Sequence, residues 1–138
     1  MTRHRLDGPT GLQHARGVGG HPLNLALRFA LELAMLGALG LWGYRRGGAW
    51  GWVLAVALPL TAAILWGVFA VPDDPSRSGK TVVATPGVLR LLLELSLFAG
   101  AALALWHVRH PILAGSLGAT VLVHYALSYD RVAWLWSR

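Results

Sequence analysis

Two short stretches hold the residues best placed to do chemistry. Leu27–Leu33 reads Leu-Arg-Phe-Ala-Leu-Glu-Leu and Leu89–Leu95 reads Leu-Arg-Leu-Leu-Leu-Glu-Leu. Each sets an arginine and a glutamate four residues apart inside an apolar run, so both side chains fall on one helical face. A carboxylate at that depth in lipid must be paired or protonated, because a charge near the bilayer midplane costs about 2.5–3.5 kcal/mol on insertion scales. Two kinds of chemistry follow. Glu32 and Glu94 either sit in ion pairs that fix helix register, or alternate between protonated and ionised forms and couple proton movement to a small cationic or amphipathic substrate. An arginine beside each glutamate favours the first, since a paired carboxylate resists protonation near neutral pH.

The elements that position these residues are apolar runs of spanning length. The chain has 138 residues, 55% hydrophobic and only 13% charged, with a net charge of +6 and a mean hydropathy of +0.52; soluble domains average about 25% charged. Residues 23–44 form the first run, about 33 Å long at ~1.5 Å per residue, against a hydrocarbon core of ~30 Å. Residues 50–71, 87–106 and 112–129 supply three more. The second carries no charge and includes Pro59, so it has no polar face with which to sit at the surface of a soluble bundle. The expected fold is all-α, a bundle of four transmembrane helices. Residues 1–22 read as a disordered basic tail and 130–138 as a short C-terminal tail.

The two Arg/Glu stretches also match each other at one constant offset: Leu27, Arg28, Leu31, Glu32, Leu33 and Leu41 correspond to Leu89, Arg90, Leu93, Glu94, Leu95 and Leu103. With two helices per half, both copies enter from the same side, the pattern of two parallel helical-hairpin repeats. Each glutamate pairs with its own arginine, or Arg28 crosses to Glu94 and Arg90 to Glu32. Arg28 and Arg90 lie near the helix starts, close enough to snorkel towards headgroups.

The fourth run carries Ser116, Thr120, His124 and Ser128 at four-residue spacing, a polar stripe. Entering from the opposite side, His124 reaches about the depth of both glutamates at ~1.5 Å per residue, and Thr61 on the second run falls nearby. The expectation is one buried polar layer of Arg28, Glu32, Arg90, Glu94, His124 and Thr61. Small residues at Ala26, Ala30, Ala34 and Ala38 form a ridge that allows close helix contact within the bundle or between protomers.

Orientation follows from the basic residues. Arg3, Arg5, Arg16, Arg77, Lys80, Arg131 and Arg138 lie on the side of both termini, and Arg45, Arg46 and Arg109 on the other. The positive-inside rule then places both termini in the cytoplasm and the chain in the inner membrane. Trp42, Trp50, Trp52, Trp106, Trp134 and Trp136 fall near run ends, as an aromatic belt requires. The basic residues punctuate apolar runs, so lipid and not nucleic acid is the partner, joined by a second copy or a larger membrane complex.

Other chemistries fare worse. Without cysteine there is no thiolate catalysis, thiolate metal site or disulfide. His107 and His110 are weak metal candidates, two ligands with no adjacent third. Haem wants deep axial histidines on facing helices, and His124 is the only deep one. Gly79-Lys80-Thr81 resembles the end of a P-loop, but Asp74 stands where its upstream glycine belongs. No cofactor is expected, and no nucleophile–base pair marks an enzyme.

Leu27-Arg-x-x-Leu-Glu-Leu, Trp66-Gly67 ahead of Pro72, and Arg90-x-x-x-Glu94-Leu resemble the YrdB-like family of small bacterial membrane proteins, which carry a domain of unknown function. The similarity runs from about Asn24 to Trp106, the fourth run agreeing only in hydrophobicity, and the long N-terminal tail departs from the compact family pattern. The resemblance implies a four-helix membrane protein and brings no activity, substrate or cofactor with it.

Overall fold

The computed structural model describes residues 18–77 and 79–138; what was expected of residues 1–17 lies outside them. The described chain is helical: α1 (Pro22–Tyr44), α2 (Gly48–Val68), α3 (Gly87–His107), α4 (Pro111–Leu127) and α5 (Tyr129–Trp136), with a short 3-10 turn at Val18–Gly20. α1, α2 and α3 are each long and apolar enough to cross a membrane. α4 and α5, bent by 74° at Ser128, qualify as a fourth candidate only together.

Local sequence sets the boundaries. Pro22 opens α1, where its missing N–H loses nothing, and His21 Nδ1 accepts from the Leu23 amide at 3.2 Å. Gly47 and Gly48 turn the chain with φ of 75° and 61°, angles that cost other residues strain. α2 continues through Pro59. It stops at Val68, where Phe69–Ala70 (β1) pairs in parallel with Val83–Ala84 (β2), tying down both ends of the long loop.

α1, α3 and α4 share the main core: Leu31, Met35 and Ala38 meet Phe98, Ala101, Leu105, Leu117 and Val121. α2 packs chiefly on α1. The contact is close because a Cβ at Gly43 would lie 2.5 Å from the Leu54 carbonyl carbon. Gly51 and Ala62 are the buried residues of α2, while Trp50, Val56, Leu60 and Ile64 turn outward, which suits a helix that carries no charge to hide. Thr61 is exposed too and hydrogen-bonds the Ala57 carbonyl of its own helix at 2.7 Å.

Both chain ends depart from expectation. The C-terminal residues read as a tail form most of α5. Its Leu135 is fully buried, set so tightly against α3 that a Cβ at Gly87 would collide with the Leu135 carbonyl oxygen. The Gly87 amide donates to the Arg138 carbonyl at 3.1 Å. The turn at Val18–Gly20 likewise belongs to the fold, as Gly19 is buried beside Asp130 of α5. Of the small-residue ridge on α1, Ala38 is buried, whereas Ala26, Ala30 and Ala34 are exposed and face away from the bundle. Asn24, Arg28, Leu31, Met35 and Ala38, spaced by three and four, take the inner face instead.

Candidate functional site

The start of α1, the end of α2, the 69–86 loop, the start of α3, the end of α4 and α5 converge at one end of the molecule. Charge holds them there. Glu94, one turn into α3 beyond Arg90, is 1% exposed at its side chain and is the centre. Its carboxylate accepts from Arg90 Nε at 2.9 Å, Arg131 Nη1 at 3.0 Å and Nη2 at 2.9 Å, Tyr125 Oη at 2.6 Å, and Arg28 Nη2 at 3.5 Å. Three cations around one carboxylate need further anions. Glu32 supplies one, accepting from Arg28 Nε at 3.1 Å. Asp74 supplies the other, accepting from Arg131 Nη2 at 3.1 Å. Three guanidiniums thus face three carboxylates, the neutral balance that a low-dielectric interior demands.

Ser76 links loop and helices. Its hydroxyl gives a hydrogen bond to Asp74 Oδ1 at 2.6 Å and receives from Arg28 Nη1 at 2.7 Å and Arg131 Nε at 3.0 Å. Asp74 Oδ1 also accepts the Ser76 amide at 2.9 Å, a side-chain turn that Asp-Pro-Ser forms readily. Burial pushes the Asp74 carboxyl up, but the Ser76 hydroxyl, the Arg131 guanidinium and the Ser76 amide outweigh it and hold the group below its ordinary value. Arg90, fully buried, does not snorkel. Its Nη1 donates to the Trp66 carbonyl at 2.7 Å and to the Phe69 carbonyl. The last carbonyls of α2 lack partners within their own helix, and a cation there also complements the helix dipole. The Trp66 ring stacks 4.7 Å from the Arg90 guanidinium carbon and 5.6 Å from that of Arg28.

The pairing expected from sequence is therefore mixed. Both own-helix pairs form, and Arg28 crosses to Glu94, but no Arg90–Glu32 pair occurs among the described residues. Glu94 is buried, whereas the Glu32 side chain keeps 25% of its surface.

His124 is not in the charge cluster. It sits in a neutral patch beside it, where Asn24 Oδ1 lies 3.0 Å from His124 Nδ1 and Asn24 Nδ2 donates to Ser128 Oγ at 2.7 Å and Gly19 O at 3.3 Å. With the Asn24 amide nitrogen engaged by those acceptors, its oxygen faces the ring, so Nδ1 is the protonated nitrogen. The next residue, Tyr125, takes the place foreseen for the imidazole.

Thr61 is not in the layer either, and the rest of the polar stripe divides. Ser128 is buried, while Ser116 is exposed and Thr120 bonds back to the Ser116 carbonyl at 2.7 Å. A hydroxyl that satisfies itself on its own helix needs no buried partner.

At the far end, His107 Nδ1 receives from Trp42 Nε1 and lies 3.0 Å from Arg46 Nη2. A ring nitrogen facing two donors is an acceptor already occupied. No group of three or more His, Asp or Glu side chains able to hold a metal occurs among the described residues.

Asp74, Ser76, Tyr125, Arg131 and Asn24 were not expected at the site. The Asp-Pro-Ser turn was a usable signal for the first two. For Tyr125 the clue was its place one residue beyond His124.

Three helices long and apolar enough to cross a membrane, with a balanced ionic cluster at one end, define the class: a small helical protein of membrane-spanning character with a charged interior. The chain belongs to the family described as "Protein of unknown function (DUF2568)", whose model matches residues 26–122. It is 43% identical over 113 residues to the "Uncharacterized protein YrdB" of Bacillus subtilis (strain 168), covering 81% of this chain and 92% of that one. The family resemblance read from the motifs thus holds, and the family match reaches further, into α4. It includes Arg28, Glu32, Asp74, Arg90 and Glu94 and stops short of Tyr125 and Arg131. No solved structure matches the chain.

Proposed function

We propose that the chain is an integral protein of the inner membrane, both termini cytoplasmic, that serves as a structural or accessory bundle and not as a transporter. In this reading α1–α2 and α3–α4 are two parallel hairpin repeats making a four-helix bundle, with α5 lying along the cytoplasmic interface. The observation that carries it is the enclosure of Glu94. A proton carrier must lose and regain its partners each cycle, yet this carboxylate is held by three guanidiniums and a tyrosine hydroxyl from four separate elements. Removing it would cost about 3–5 kcal/mol by leaving buried charge unbalanced. Such a cluster fixes where the loop and α5 sit, and so the cytoplasmic surface offered to a partner. The outward Ala26, Ala30 and Ala34 support close approach by a further helix, from a second copy or a larger membrane complex.

The alternative, proton-coupled transport of a small molecule through Glu32 and Glu94, draws support only from Glu32, which lines a side recess. Purified protein in liposomes under a pH gradient separates the two. The structural reading expects wild-type flux no greater than that of empty liposomes, and poor recovery of folded Glu94→Gln. Flux that disappears in Glu32→Gln or Glu94→Gln while the protein stays folded would establish transport instead.

A further inference from the structure

A recess lies beside the charge cluster, and its lining has an unusual composition. It opens sideways between α1, the end of α2 and the loop, and encloses about 340 Å³. Arg77 stands on its loop side. One of its nitrogens, Nη2, donates to the Gly67 carbonyl at 3.1 Å; the buried Nη1 has no acceptor among the described residues. A charged donor buried without an acceptor is costly, about 1–3 kcal/mol or more, so this nitrogen favours an anionic oxygen beside it.

Glu32 lies in the same recess. One of its oxygens accepts from Arg28, and the other has no partner among the described residues. The Arg28 charge is already opposed by Glu32 and Glu94. Among the described residues, the recess therefore offers one uncommitted cation and one acceptor of opposite sign. Beside them Leu25 and Phe29 line the same opening and are exposed on the membrane-facing side of α1. Trp66, two residues from the end of α2, lines the recess and so places it at the end of that helix.

A headgroup with a phosphate alone would meet Arg77 but leave the second Glu32 oxygen without a donor. A molecule bearing both a phosphate and a primary ammonium, with hydrocarbon attached, matches every part. We propose that the recess binds the headgroup of a zwitterionic aminophospholipid, the phosphate accepting from Arg77, the ammonium donating to Glu32, and an acyl chain lying along Leu25 and Phe29. The lateral opening and its apolar flank favour a lipid over a soluble phosphate ester. Binding of this kind needs only that the helices span a bilayer; it does not depend on a structural role for Glu94.

Native mass spectrometry of the full chain, with phosphatidylethanolamine and phosphatidylglycerol offered in equal amounts, tests it. Wild type should retain the ethanolamine lipid about fivefold better, the scale of one partly exposed ion pair. Arg77→Gln should weaken retention of both lipids, and Arg77→Lys should restore part of it. Glu32→Gln should keep lipid but lose the preference. Melting curves of each variant check that the fold is intact. Equal retention of both lipids by wild type, or unchanged retention by Arg77→Gln, would overturn the proposal. Displacement of the lipid by soluble phosphoethanolamine at equal concentration would overturn the lipid as the source of the headgroup.

Discussion

Replacing Glu94 by glutamine changes almost no volume and removes one charge from the middle of the cluster. Before the change Arg28, Arg90 and Arg131 face Glu32, Asp74 and Glu94; afterwards three guanidiniums face two carboxylates. Arg28 retains Glu32 and Arg131 retains Asp74, but Arg90 pairs with no other carboxylate among the described residues and is itself fully buried. Leaving one charge of a buried pair uncompensated costs about 3–5 kcal/mol, a large share of a total stability of about 5–15 kcal/mol. At roughly 3 °C per kcal/mol for a chain of this size, the melting midpoint in detergent should fall by about 10 °C. Glu32→Gln provides the internal comparison. Its pair is partly exposed, so the loss should be no more than about 1 kcal/mol. Adding Arg90→Gln to Glu94→Gln removes the stranded guanidinium and should recover about 1–3 kcal/mol relative to the sum of the single losses. A Glu94→Gln loss no larger than that of Glu32→Gln, or a double variant without coupling, would refute the charge-balance reasoning.

Three further outcomes follow. Gly87→Ala drives a methyl group into the Leu135 carbonyl and should lower stability by about 1–3 kcal/mol through overpacking, read as a fall in melting midpoint. Thr61→Val should change stability by less than about 0.5 kcal/mol, because the hydroxyl bonds only to its own helix; a larger loss would return Thr61 to the buried layer. Asp74 has a folded pKa below its ordinary 3.8, so its stabilising contribution is present above that value and declines as pH falls towards the folded pKa. Melting curves from pH 6 to pH 3 should therefore fall less steeply for Asp74→Asn than for wild type, from a lower starting midpoint.

What the sequence disclosed, it disclosed through cost. Arginine and glutamate inside an apolar run have nowhere to go but inward, so Arg28, Arg90 and Glu94 were legible as buried partners from residue type and spacing alone. Asp74, Ser76 and Arg131 were not, because they lie in segments that read as aqueous loop and tail, where a charge is unremarkable and gives no hint of burial. Only the folding back of α5, fixed by Leu135 against Gly87, brings Arg131 to Glu94. Depth along the fourth helix was readable from residue count. Rotation about its axis was not, and that difference separates Tyr125, which meets Glu94, from His124, which meets Asn24. Threonine misled for a related reason: Thr61 and Thr120 close hydrogen bonds on their own helices, so polarity alone did not place them inside.

The Arg131–Glu94 pair adds to the packing of Leu135 in holding α5 against α3. Hydrogen–deuterium exchange of the amides of Tyr129–Trp136, with the full chain in nanodiscs, tests this most directly. Wild type should protect these amides, and Glu94→Gln should speed their exchange at least tenfold while the middle of α2, which makes no contact with the cluster, exchanges as before. Unchanged exchange in α5, or an equal rise across every helix, would contradict the account.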